Sequence, residues 1–526
     1  MRKNHLNVVN ICMALFFVAC VLAPLMSMML RITPEGLQTV FRSPQFQPAV
    51  VNSLFTTLTA AVISLTLSLL AAWSLERTQV RGKVIFGALF TLPMLIPSIS
   101  HALGLVALFG KNGLLTNLFR LPGNIYGFWG IVSGSVMYSF PVAFLMFSNI
   151  LRYEDGLPYQ AAEVLSIPAV RQFTGLTLPY LKKTVISAFF AVFTMIITDY
   201  GVPLMIRGKC ITLSVLMYDK AVSMMDYSSG SVIGALLLLP AVAAFLIDLF
   251  NPERGTDSYV LQPVHPKKSC FFDCLALIFC VLIAVCVLAP IVSFCLMAFE
   301  TKYPVNTAFS LSHLERAIGR GAGRYLINSI LYAGWTAVLG TLLAFTCAYL
   351  TAGGRGPFRK ALHMMSITSM AIPGIVLGLS YVILFHSTPI YGTIVIVILA
   401  NAIHFFSSPY LMMYNALEKL NPNLEAVGQC FGISQLHIIR DIVLPKVGAT
   451  LTEMFTYFFV NSMMTISAVS FLVPPAPKPV ALMIGQFESQ LLVESAAVVS
   501  LMILSVNLGM KGVAIIVRRY MRICGS

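Results

Sequence analysis

The chain has 526 residues, of which 58% are hydrophobic and 10% charged, with a mean hydropathy of +0.86. A soluble domain is about half apolar and about a quarter charged, so this composition excludes a water-solvated globule, and continuous apolar runs of about 20 residues match a bilayer crossed by helices rather than by a barrel. The net charge of +14 would suggest nucleic acid in a soluble protein; here it reflects Lys and Arg gathered at the cytoplasmic ends of spans, and no nucleic-acid partner is expected.

The chain opens on "MRKNH" and an apolar run from Leu6 to Leu30. That run continues past Cys20 and is longer than a signal core of about 7–15 residues, so it reads as an uncleaved first span. Five more spans follow near 50–74, 84–109, 126–150, 184–206 and 231–250. Between the fourth and fifth lies a long polar connection, "QAAEVLSIPAVRQFTGLTLPYLKK", from Gln160 to Lys183. Well into the fifth span stands Asp199. A carboxylate in a membrane is costly and is a functional hypothesis by default. Two readings stay open for it: a group facing the solute pathway, or a group at the helix end bonded to broken backbone near Gly201 and Pro203.

The stretch "NPERGTDSYVLQPVHPKKS" is polar and contains proline, so it reads as a linker. The resulting division is a first half at 1–250, a cytoplasmic linker at 251–269 and a second half at 270–526. The second half holds spans near 271–298, 327–351, 361–386, 391–415, 448–472 and 492–517. The fold class is therefore an all-α membrane protein of about 12 transmembrane helices in two six-helix halves. With the N-terminus inside, 22 Lys and Arg fall on the cytoplasmic side and 12 outside, of 34 present. That excess puts both termini and the long connections in the cytoplasm.

The second half repeats the first. A shift of 266 positions lays "NLEAVGQCFGISQLHIIRDIVLPKV" over the first connection. Ala161, Val164 and Leu165 then fall on Val427, Cys430 and Phe431, one apolar stripe at i, i+3, i+4, so each copy should begin as a short amphipathic helix. Ser166 falls on Gly432, where the helix should end and the chain turn. Leu178-Pro179 falls on Leu444-Pro445, and each proline is expected to open the next span. The third span of each half carries a proline, Pro97 or Pro373.

These two connections resemble the EAA loop of permeases in binding-protein-dependent ABC importers. That motif reads Glu-Ala-Ala, three residues, Gly, then a Leu-Pro pair. The first copy has Gln160-Ala161-Ala162, Ser166 and Pro179; the second has Glu425 and Ala426-Val427-Gly428, then Gly432, Leu444 and Pro445. Neither copy holds the motif's Glu at its usual place. The resemblance implies a cytoplasmic coupling helix in each half, docked on one of two ABC ATPase subunits, with a solute-binding protein delivering cargo outside. It implies a multi-pass protein of a bacterial inner or plasma membrane.

The stretches "TMIITDYGVPLMIRG" and "MMTISAVSFLVPP" are similar to the fifth- and eleventh-span endings of permeases for ferric iron and phosphonates. The implied solute is ferric iron or a phosphonate such as 2-aminoethylphosphonate. The 266 shift sets Thr465 opposite Asp199, with Thr198, Tyr200 and Ser467 nearby as a small, polar pathway lining.

No phosphate-binding G-x-x-x-x-G-K-[ST] motif is present, so ATP is expected to be bound and hydrolysed in a partner subunit, with no cofactor in this chain and no enzyme activity of its own. The eleven cysteines read as core packing, Cys12, Cys20, Cys280, Cys286 and Cys347 among them. His101, His363, His386 and His404 stand singly, as packing or interfacial groups, and no metal site is expected. Glu453 either bridges to another helix or pairs with Lys446, and the pairing with Lys446 is the expectation. The alternative reading is a secondary transporter of the major-facilitator type, whose short basic loop "ERTQVRGK" resembles.

Overall fold

The computed structural model describes residues 2–120, 125–250, 262, 264, 269–352, 356–421, 427, 428, 430–472 and 478–524. Among them, nine helices are long and apolar enough to cross a membrane, and eleven spans result when two bent pairs each count as one. The expected twelfth, placed at 448–472, is the helix Leu444–Met464. Glu453, Asn461 and a series of hydroxyl side chains keep it below that apolarity. Apart from helices, the described residues form one small hairpin, Glu300–Lys302 with Asn306–Phe309.

Proline breaks the third span of each half. Lys83–Leu95 and Ser98–Phe109 meet at Ile96-Pro97; Pro357–Ala371 turns by 107° into Gly374–Phe385 at Ile372-Pro373. A proline ring excludes helical backbone at the residue before it, and Ile96 (ψ 147°) and Ile372 (ψ 112°) are extended. The fourth span is one helix, Phe128–Arg152; its counterpart bends by 54° between Ile394–His404 and Ser407–Glu418. The fifth helix stops at Ile197, short of the expected 206, and Gly201–Ile206 forms a separate turn-and-a-half.

Packing uses small residues where helices approach most closely. The second span, Phe46–Arg77, buries Ala60, Ala61, Ser64, Ser68, Ala71 and Ala72 against the fourth. Ser139 donates to Ser64 at 2.9 Å, and Ser68 donates to the Phe140 carbonyl at 2.9 Å. Such contacts satisfy hydroxyls where no water is present.

The halves are interleaved. The first span, Val8–Leu30, lies against Gly374–Phe385 of the second half, where the Tyr381 hydroxyl donates to the Cys20 carbonyl at 2.7 Å and Phe17 meets Phe406. The seventh, Cys270–Phe299, lies against Ser98–Phe109 of the first half, with Pro290 so close to Gly104 that a Cβ there has no room. Ser100 and Ser500 share a hydrogen bond at 2.9 Å, and Asn507 donates to the Leu95 carbonyl at 2.9 Å. The apolar core is consequently continuous across both halves.

The cysteines divide. Cys20, Cys280 and Cys347 are buried as expected, whereas Cys12 and Cys286 lie on the outer surface of their spans. A thiol facing hydrocarbon has no water to avoid, so apolar sequence alone does not separate core from lipid-facing positions.

Candidate functional site

Between the halves lies a cavity of about 400 Å³. Its first-half wall comes from the fourth, fifth and sixth spans, with Tyr138, Thr194, Thr198 and Asp199 as polar groups. Its second-half wall comes from the ninth to eleventh spans, with His404, Ser408, Tyr457 and Ser467. Phe190, Met195, Phe245 and Met370 add apolar surface. Asp199 supplies a carboxylate and His404 an imidazole, and no Lys or Arg stands among the lining residues.

Asp199 stands at the helix end and also lines the cavity. Its carboxylate accepts from the Gly201 N–H at 3.3 Å and the Val202 N–H at 3.0 Å, and from the Ser98 hydroxyl. It thereby caps the short helix Gly201–Ile206, satisfying donors that helix geometry leaves open. The same side chain faces the cavity. The Asp199 carbonyl is held by the Ser214 hydroxyl at 2.8 Å.

Of the other proposed pathway residues, Thr198 and Ser467 line the cavity. Tyr200 does not: it is buried and stacked on Tyr218 at 5.0 Å. Thr465 is buried as well, its hydroxyl donating to the Asn461 carbonyl at 2.7 Å. The side chain opposite Asp199 in the repeat thus closes the end of its own helix instead of lining the cavity.

His404 and Tyr138 belong to the wall, and nothing local in the sequence marks either. The 266 shift superimposes them on each other. That coincidence, a titratable group at one register of both fourth spans, was the available signal. His404 Nδ1 is buried without a hydrogen-bond partner among the described residues. The 266 shift also pairs Gly201 with Ser467, and the Pro97–Pro373 match pairs Ser98 with Gly374. In space Ser98 packs on Gly201, and Ser467 with His404 packs on Gly374. Each half therefore makes the same close crossing from one serine and one glycine, with the two exchanged.

Six crossings separate the two long connections, so both lie at one end of the bundle. The first contains the expected helix, Leu157–Val164. Ala162 is buried beneath it, Ala161 is exposed, and Val164 and Leu165 are 85% and 71% exposed. Gln160 donates its amide to Gln262 of the linker at 3.0 Å, and the Gly156 N–H donates to the Gln262 carbonyl at 2.8 Å. Ser166 turns the chain at φ 54°. In the second connection Glu425 and Ala426 lie outside the described residues. Val427 and Phe431 are exposed, and Gly432 turns the chain at φ 71°.

Pro179 and Pro445 stand in the first turn of the helices Leu178–Ile197 and Leu444–Met464, as expected, but the helical chain does not start there: a π turn, Phe173–Thr177 or Ile439–Val443, immediately precedes Leu178 or Leu444. A proline inside a helix lacks an N–H and crowds the carbonyl four residues back; a wider turn ahead of it relieves both. One expectation is corrected here. Glu453 pairs with Arg518 of the last span, Val493–Cys524, at 2.6 Å, not with Lys446. Lys446 lies about two turns away along the same helix, whereas the last span crosses beside Glu453.

The sequence profile of the binding-protein-dependent transport system inner membrane component family matches residues 64–254 and again 337–523. The ferric transport system permease protein FbpB of Actinobacillus pleuropneumoniae is 25% identical over 461 residues, which are 84% of this chain and 66% of that protein. The chain thus spans just under two thirds of that relative. The Fe(3+)-transport system permease protein FbpB 2 of Haemophilus influenzae is 22% identical over 497 residues, 91% of this chain and 92% of that protein. A probable sulfate transport system permease protein of Prototheca wickerhamii is 26% identical over 205 residues, 38% of this chain and 79% of that protein. With two tandem matches that include the walls of the cavity, the chain belongs to the family of binding-protein-dependent transport system inner membrane components, as two family units fused in one polypeptide.

Proposed function

We propose that this chain forms the solute pathway of an ABC importer and is driven from its two long connections. The observation that carries the reading is the cavity shared by the two halves, whose walls are the very spans that lead out of those connections. Each connection is then a cytoplasmic coupling segment. Its exposed apolar residues, Val164 and Leu165 or Val427 and Phe431, offer an anchor that a partner buries. Two ATPase subunits bind ATP there, an external solute-binding protein loads the cavity, and both termini lie in the cytoplasm of a bacterial cell.

Ferric iron is the favoured solute. Relatives named for ferric transport align with 84% and 91% of this chain. The cavity offers carboxylate, imidazole and hydroxyl groups and no Lys or Arg. A phosphonate entering it would bring negative charge into a low-dielectric space with nothing positive to meet it.

The test is purification of the tagged chain from cells that carry its chromosomal neighbours, with radiolabelled ferric iron and labelled 2-aminoethylphosphonate as uptake probes. Copurification of an ATPase and ATP-dependent iron uptake are expected. Uptake without an ATPase would turn the assignment to a secondary carrier, and uptake of the phosphonate alone would change the solute.

A further inference from the structure

We infer that the two coupling segments are unequal levers: the first is clamped to the bundle by a buried charge network, and the second, among the described residues, is not. The inference rests on the coupling role proposed above.

The network begins at the end of the second span. Arg77 and Glu154 form an ion pair with side chains only 8% and 5% exposed. Arg77 also donates to the Leu151 carbonyl at 3.0 Å and stands 5.9 Å from the Trp73 ring. The other Glu154 oxygen accepts from the Tyr159 hydroxyl at 2.6 Å, and that hydroxyl meets the Thr177 hydroxyl at 2.7 Å. Tyr159 lies on the helix Leu157–Val164, and Thr177 in the π turn that starts the fifth span. Four side chains thus join the second span, the end of the fourth, the coupling helix and the fifth. Charged hydrogen bonds in a dry setting are short, strong and geometrically demanding.

Among the described residues the second half holds no such network. The 266 shift puts Leu420 at Glu154 and Val443 at Thr177, and the 276 shift of the second spans puts Gly353 at Arg77. The second segment's ties are of another kind: Gln435 donates to the Tyr349 hydroxyl at 3.1 Å, and Ile438 lies against Gly428. A push on the first segment therefore reaches the second and fifth spans through bonds of fixed length. A push on the second is partly taken up by apolar contacts that slide.

Hydrogen–deuterium exchange on the full chain in lipid nanodiscs tests this. Protection factors across Leu157–Leu165 are expected to exceed those across 430–433 by about tenfold or more, and Tyr159→Phe, which leaves the exposed face untouched, should erase that margin. Glu154→Gln should do the same. With the copurified ATPase bound, ATP should alter exchange around Trp73–Thr78 in the wild type and leave it unaltered in Tyr159→Phe; a purely structural tie would not produce that difference. Equal protection of the two segments, or a Tyr159→Phe variant that keeps the wild-type margin and ATP response, overturns the clamp. If no ATPase docks on the wild type, the coupling reading falls, and the protection comparison alone still decides whether the segments differ.

Discussion

Ser166 and Gly432, 266 positions apart, both hold left-handed backbone, at φ 54° and 71°. The same turn stands in both long connections, once with a residue suited to it and once without. A left-handed L-residue is disfavoured by roughly 1–2 kcal/mol, a cost glycine avoids. Ser166→Gly should therefore raise stability by about 1 kcal/mol, and Gly432→Ser should lower it by a similar amount. A Cβ at 432 meets open space, so the loss comes from backbone alone. Denaturation in detergent measures both, and a stability loss in Ser166→Gly would contradict the argument.

The paired crossings Ser98–Gly201 and Gly374–Ser467 make a second prediction. A Cβ on either glycine would collide with the facing serine. Gly201→Ala and Gly374→Ala should each cost about 1–3 kcal/mol, the usual penalty of overpacking. Adding Ser98→Ala to Gly201→Ala should recover part of it, because the two sites share one contact. Thermal melts of the wild type, Ser98→Ala, Gly201→Ala and the double variant form the cycle, and strict additivity would show that the hydroxyl is not what the methyl meets.

The parts of this architecture legible in the sequence were those written locally. Pro97 and Pro373 announce their breaks, because a proline constrains its neighbour whatever the fold. The Ser166 and Gly432 turns were legible because the repeat writes them twice. The end of the fifth helix at Ile197 was not, since the apolar run continues to Ile206 and composition cannot tell a span from a re-entrant turn. The π turns before Pro179 and Pro445 were hidden because they depend on helix continuing upstream through polar residues. His404 was read as packing because a single histidine carries no signal until the fold sets it across a cavity from Asp199. The Glu453–Arg518 pair joins residues 65 apart, which no local pattern encodes.

That pair supports a prediction of small effect. Glu453 and Arg518 are 48% and 35% exposed. An ion pair so open contributes about 0–1 kcal/mol in water. Glu453→Gln should shift stability by less than about 1 kcal/mol, and Lys446→Met should leave the pair untouched. Unfolding curves of the two variants check this. A loss in Glu453→Gln several times larger would mean that lipid, not water, surrounds the pair.

Asp199→Asn separates the two tasks of Asp199. Asparagine keeps a carbonyl oxygen to accept from the Val202 or Gly201 N–H, and Asn serves as well as Asp at helix N-termini. The cap should survive at a cost under about 1 kcal/mol. What disappears is the carboxylate that the cavity wall presents. Iron uptake should fall by about tenfold or more, equivalent to at least about 1.4 kcal/mol of lost stabilisation along the transport path, while ATPase copurification stays at the wild-type level. Asp199→Ala removes cap and carboxylate together and should lose protein as well as uptake. If Asp199→Asn transports like the wild type while Asp199→Ala fails, the carboxylate matters only as a cap, and the cavity recognises its solute through His404 and the hydroxyl groups instead.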